Sequence, residues 1–136
     1  MGTADSVPAF GQVWTADFPY LNGDVEGGKH RVVLVLSYNP QTNKVWVAKV
    51  TSQRTRQLYA GNFAIYPTDK AFKQSGLHKE SRFDLNQLAE LPFDESFTHQ
   101  IGALDFEDMA LGQRFVSAVK TSEFRDAIVG WMRKVL

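Results

Sequence analysis

Two short stretches hold side chains suited to work on a phosphate: Lys29-His30-Arg31 at the head of one apolar run, and Thr51-Ser52-Gln53-Arg54 at the tail of another. An arginine presents a planar fork of donors that stays protonated at any working pH and can grip two phosphate oxygens together. Threonine, serine and glutamine add neutral donors able to place the same phosphate or read a base edge. Lys29, Lys49, Arg54 and Arg56 flank these groups, where they could hold phosphates of neighbouring nucleotides. The loop before Arg31 carries Asp24 and Glu26 among glycines, and a carboxylate there could orient Arg31 or accept a proton. Proton transfer could also fall to His30, because imidazole is the side chain that ordinarily titrates near neutrality. Successive strand residues face opposite ways, however, so His30 and Arg31 share a site only where the strand is irregular. His78 could approach a ligand from the Gly76-Leu77-His78-Lys79 segment, whereas His99 reads as a strand residue without function. Residue types alone leave a plainer reading open, with Arg31 a surface charge and Thr51 an ordinary β-branched strand residue. The histidines are too scattered for a metal site, and a chain without cysteine has no disulfide, thiolate nucleophile or cysteine-based metal centre. No metal and no cofactor is expected.

Strands must carry these groups through most of the chain. Gly11 to Phe18 reads as an outer strand closed by Pro19. Val32-Val33-Leu34-Val35-Leu36 is uninterrupted and apolar, the pattern of a strand buried on both faces. The turn Asn39-Pro40-Gln41-Thr42-Asn43 is too short for a parallel crossover, so Val45 to Val50 should return antiparallel. Asn62 to Tyr66, Ser81 to Leu85 and Phe97 to Gly102 are further strand candidates, and short strands at this spacing point to a small barrel. The period changes near Asp105 and Asp108, where a helix begins that runs from Phe106 to Val119. Ser122 can cap a second helix, in which Phe124, Ala127, Ile128, Trp131, Met132 and Val135 form an apolar stripe. That stripe should lie against the barrel or a second subunit.

The chain has 136 residues, 43% of them hydrophobic, and no repeat or linker divides it, so one domain over 1–136 is expected. Fifteen basic residues balance fifteen acidic ones, which leaves no overall field to attract nucleic acid. Any RNA site must rest on local charge. The N-terminus lacks a basic flank followed by an apolar stretch, and no apolar run approaches a membrane span, so a cytoplasmic protein without membrane association is expected.

In order and spacing, the chain resembles the PemK/MazF-type toxins from about Gly11 to Val119. The markers are Gly11-Gln12-Val13-Trp14, Gly23-Asp24-Val25-Glu26-Gly27-Gly28-Lys29-His30-Arg31 leading into the apolar run, and Val50-Thr51-Ser52-Gln53. Further on come Ser75-Gly76-Leu77-His78-Lys79-Glu80-Ser81, Asp84-Leu85-Asn86-Gln87 and Ile101-Gly102-Ala103-Leu104. The resemblance implies a mainly β fold with C-terminal helices: a small SH3-like antiparallel barrel over about 11–104, then helices over about 105–136. It also implies a metal-independent endoribonuclease that cuts single-stranded RNA by 2′-OH attack, a cognate antitoxin, and a homodimer.

The same resemblance assigns the catalytic pair to Arg31 and Thr51. Glu26, Lys29, His30, Lys49, Ser52, Gln53, Arg54 and Asn86 are read as RNA-binding. Three positions depart from the family pattern. Val32 follows Arg31 where proline is common, and Gln12 stands where many members have glutamate. Aligned on the later strand, Asp84 and Asn86 fall where some members carry a catalytic arginine and aspartate, with Arg82 the nearest cation. The rival reading is a non-catalytic SH3-like module that binds RNA or a peptide.

Overall fold

The computed structural model describes residues 7–18 and 29–135, with the backbone alone at Lys29 and Val135. Six strands follow the order of the chain: β1 (Gln12–Phe18), β2 (Lys29–Asn39), β3 (Lys44–Thr51), β4 (Asn62–Ile65), β5 (Ser81–Pro92) and β6 (Phe97–Ala103). A short helix α1 (Phe72–Ser75) precedes β5, and α2 (Met109–Thr121) and α3 (Arg125–Val135) close the described chain. The strands form one antiparallel sheet in the order β4-β5-β3-β2-β1-β6.

The expected barrel is not closed. Its edge strands β4 and β6 do not pair among the described residues, and helices cover them instead: α2 packs on β4 and α1 on β6. Closure depends on whether two edges far apart in sequence meet, which no local pattern encodes.

β2 explains why the sheet needs a core on each face. Leu34 and Leu36 enter one buried cluster with Phe63, Phe83, Leu111 and Phe115, while Val33 and Val35 enter a second with Trp14, Phe18 and Phe97. Alternate residues of an apolar run therefore both find oil-like surroundings, as the unbroken pattern requires. Stacked Phe63 and Phe83, 4.7 Å apart, anchor the first cluster, and Trp14 meets Phe93 and Phe97 edge-on in the second. At the β2–β3 turn Asn43 takes a left-handed φ of 56°, and its side chain accepts from Tyr38 and donates to the Phe93 carbonyl. Asparagine tolerates that backbone better than most residues.

β5 extends seven residues beyond the expected end at Leu85. Ala48 pairs with Leu88 but the next residue, Lys49, pairs with Asp84, so Leu85, Asn86 and Gln87 bulge out of the ladder. The bulge is used. Leu85 N–H donates to the Gly61 carbonyl, and the Leu85 carbonyl accepts from buried Ser122. Ser122 Oγ also accepts from Phe124 N–H, so the residue that ends α2 braces the turn into α3 while tying it to the sheet.

α2 begins one turn later than its sequence suggests, because Asp105 receives the Glu107 N–H in a turn and Asp108 provides the cap, accepting from Leu111 N–H at 3.0 Å. On α3, Ile128 is buried and Trp131 stacks on Trp46 of β3, ring centroids 5.5 Å apart. The stripe thus docks on the sheet, although Phe124 and Ala127 stay exposed and Val129 packs in their stead.

Candidate active site

A cavity of about 550 Å³ opens where β2 begins and β3 ends. Arg31 and Val32 border it from β2, Val50 and Thr51 from β3, and Ser52 and Gln53 from the turn that follows. Thr15 of β1, Ser81 of β5, and His99 and Ile101 of β6 add to the sheet side, and Leu77, His78 and Lys79 line it from the segment after α1. Arg31 and Lys79 bring positive charge, and none of the described lining residues is a carboxylate.

Strand register brings the two central residues together. The β2–β3 ladder ends at Val33 and Lys49, and each strand runs two residues further to reach Arg31 and Thr51. Residues directly opposite on antiparallel strands share a face. The row continues on both sides, since Ala16 pairs with Arg31 and Arg82 pairs with Thr51. The adjacent row runs His99, Thr15, Val32, and the cavity draws on both rows because it lies at the strand ends.

Thr51 sits in a braced corner. Its Oγ1 accepts from Gln53 N–H at 3.2 Å, and Arg82 Nε donates to the Gln53 carbonyl at 3.4 Å. The Arg82 side chain is only 13% exposed; it donates to Asn62 at 2.6 Å and lies 3.9 Å from Asp84. Asp84 in turn accepts from Asn62, Gln87 and the Asn86 N–H. Beyond Gln53, Thr55 and Arg56 both donate to Glu80, so one carboxylate ties the turn after β3 to the segment leading into β5. The Thr55 hydroxyl first, and then the Arg56 guanidinium, hold the Glu80 carboxyl below its ordinary range. Arg56 and Arg114 both lie over the Tyr66 ring, and Arg114 grips Asp69 with two hydrogen bonds.

Of the residues singled out in the sequence, Arg31, Thr51, Ser52, Gln53 and His78 border the cavity together. His30 does not. β2 is regular from its first residue, so His30 faces away from Arg31 and its ring lies 3.3 Å from Asp17 and 3.5 Å from Thr98. Lys49 stands two residues before Thr51 and outside the lining, and exposed Arg54 turns away through a left-handed φ of 53°. Asn86 belongs to the β5 bulge, where it donates to the Ala60 carbonyl and accepts from Glu123 N–H, which commits it to the α2–α3 corner. Asp24 and Glu26 lie outside the described residues, as does the side chain of Lys29. His99, read from sequence as functionless, and Thr15 and Lys79 join the site; only the pairing of β1 with β6 could have revealed the first two.

A family model described as PemK-like, MazF-like toxin of type II toxin–antitoxin system matches residues 9–118. The chain belongs to that family. Comparison with curated proteins gives no match. The matched segment holds all six strands and every lining residue of the cavity, whereas α3 lies beyond it. Membership implies an antitoxin partner. No helix among the described residues is long and apolar enough to cross a membrane.

Proposed function

We propose that this toxin is an endoribonuclease that cuts single-stranded RNA by attack of a ribose 2′-OH on its own phosphorus. The observation that carries this reading is the meeting of Arg31, at the start of β2, and Thr51, at the end of β3, in the lining of one cavity. As the 2′-oxygen bonds to phosphorus, negative charge grows on the phosphate oxygens, and preorganised donors stabilise it more than they stabilise the ground state. Arg31 supplies the bidentate charged donor, and Thr51 supplies a hydroxyl held by its corner. Ser52 and Gln53 place the adjoining nucleotide. The P–O5′ bond breaks, leaving a 2′,3′-cyclic phosphate and a 5′-hydroxyl.

Arg82 and Asp84, two residues earlier than the alignment on Asp84 and Asn86, then take the later-strand arginine and aspartate positions. Two observations support this shift: Arg82 pairs with Thr51, and Asn86 bonds to Ala60 and Glu123 at the helix corner. Arg82 fixes the Gln53 carbonyl and adds a second positive charge beside Thr51. The antitoxin blocks the cavity with an extended or helical segment, and a homodimer supplies the full RNA groove.

Purified protein incubated with a mixed RNA should generate discrete fragments with 5′-hydroxyl ends and cyclic phosphates. Among the described residues no three His, Asp or Glu side chains gather as a metal site would need, so cutting should persist in EDTA. RNA bound but left intact would favour the non-catalytic module.

A further inference from the structure

Two histidines reach the cavity from separate elements, and a pair of glycines locks those elements together. Gly76 ends α1 at φ 75°, and a Cβ there would lie 1.9 Å from the Ile101 carbonyl oxygen. A Cβ on Gly102 would lie 2.4 Å from the backbone of Gln74 and Ser75. The end of α1 therefore seats directly on the β6 backbone, closer than any side chain allows. His78 follows Gly76 by two residues. His99 lies two residues before Ile101 on β6, and both line the cavity. Leu77 and Ile101 line the same cavity between them.

Both histidines are exposed, and among the described residues neither ring has a hydrogen-bond partner, in contrast to His30 with Asp17 and Thr98. The cavity lies between them and the phosphate donors, with His99 on β6, Thr51 on β3, and Thr15 and Val32 on the strands between. Arg31 and Lys79 are the charged residues that line it among the described residues.

We propose that His78 and His99 are the proton-transfer pair of the cleavage, an inference that rests on the endoribonuclease reading above. The 2′-OH proton passes to one neutral imidazole as the 2′-oxygen–phosphorus bond forms. The other ring, as imidazolium, gives its proton to the leaving 5′-oxygen as the P–O5′ bond breaks. The rings have then exchanged protonation states, and exchange with water restores them; nothing else enters the balance. Imidazole serves both halves because proton transfer is most efficient from a group that titrates near the working pH.

The test uses an RNA with one scissile linkage, in single-turnover reactions of wild type, His78→Gln and His99→Gln with matched melting curves. Each variant should cut about 10²- to 10⁴-fold more slowly. The same RNA carrying sulfur in place of the leaving 5′-oxygen needs no proton on departure, so one variant should recover and the other should not, which identifies the acid and the base. A variant that cuts ordinary RNA at the wild-type rate overturns the pair, as does recovery of both variants or of neither. A wild type that binds the RNA without cutting overturns the endoribonuclease reading itself, and the pair with it.

Discussion

Thr51 and Arg82 are register partners across β3 and β5, yet only Thr51 borders the cavity. Arg82 lies behind it, engaged with Asn62, Asp84 and the Gln53 carbonyl. On the endoribonuclease reading proposed above, Arg82 positions the corner and charges it. Arg82→Ala should slow cleavage at least tenfold with little loss of RNA affinity, and should lower stability by about 1–3 kcal/mol through lost charged hydrogen bonds. Arg82→Lys retains the charge without the fork, so it should recover part of the rate. Single-turnover rates and binding measured together check this, and a stable Arg82→Ala protein with the wild-type rate would remove Arg82 from the site.

Local pattern made some elements legible and left others hidden. The Val32–Leu36 run disclosed a strand with a core on each face because every residue of it is apolar. β5 was readable only to Leu85, since Asn86 and Gln87 break the alternation and the bulge that lets the strand continue is set by partners at Gly61, Ala60 and Ser122. At the site, family resemblance pointed to Arg31 and Thr51, which as residue types are unremarkable at strand ends. The sequence could name Arg82 only as the nearest cation to the later strand's missing arginine, and it left His99 without a role, for a common reason. Their neighbours come from strands distant in sequence, and an exposed strand residue carries no sign of which strand lies beside it.

Trp131 and Trp46 tie α3 to the sheet by stacking. Both rings are half-buried, so Trp131→Ala should cost about 2 kcal/mol, less than the about 3–5 typical of fully buried aromatics. Trp46→Ala should cost a similar amount. The double variant should cost less than the two single losses combined, because the second truncation removes a partner already gone. Denaturant midpoints for the four proteins decide it, and additive losses would mean that the two rings stabilise the fold independently.

Two of the carboxyls held below their ordinary range are paired with arginines: Glu80 by Thr55 and then Arg56, and Asp69 by the Arg114 hydrogen bonds first. A depressed folded-state pKa contributes stability that is present above the unfolded value, about 4 for either residue, and is lost as pH falls through the folded value. Glu80→Gln and Asp69→Asn should therefore melt below wild type at neutral pH. The gap should narrow as pH drops below about 4. Melting curves across the acid range test this, and a gap independent of pH would assign the losses to packing.

The decisive substitution is at Arg31. Removing one donor to developing charge costs about 2.7–4 kcal/mol, a rate loss of about a hundred- to a thousandfold, and a charged bidentate donor belongs at the upper end. Arg31→Ala should therefore abolish detectable cleavage, and Thr51→Ala should weaken it less, because Ser52 and Gln53 remain beside the same phosphate. Arg31→Lys should fall between wild type and alanine if the fork matters as well as the charge. Affinity for RNA should drop only modestly in each variant, since Lys79 still lines the cavity and other basic residues hold neighbouring phosphates. A binding module makes the opposite forecast, with no cutting by wild type and affinity that falls in step with the charge at Arg31. Cleavage rates and dissociation constants for the same set of variants separate the two, and an Arg31→Ala protein that cuts RNA at the wild-type rate would place the chemistry elsewhere in the molecule.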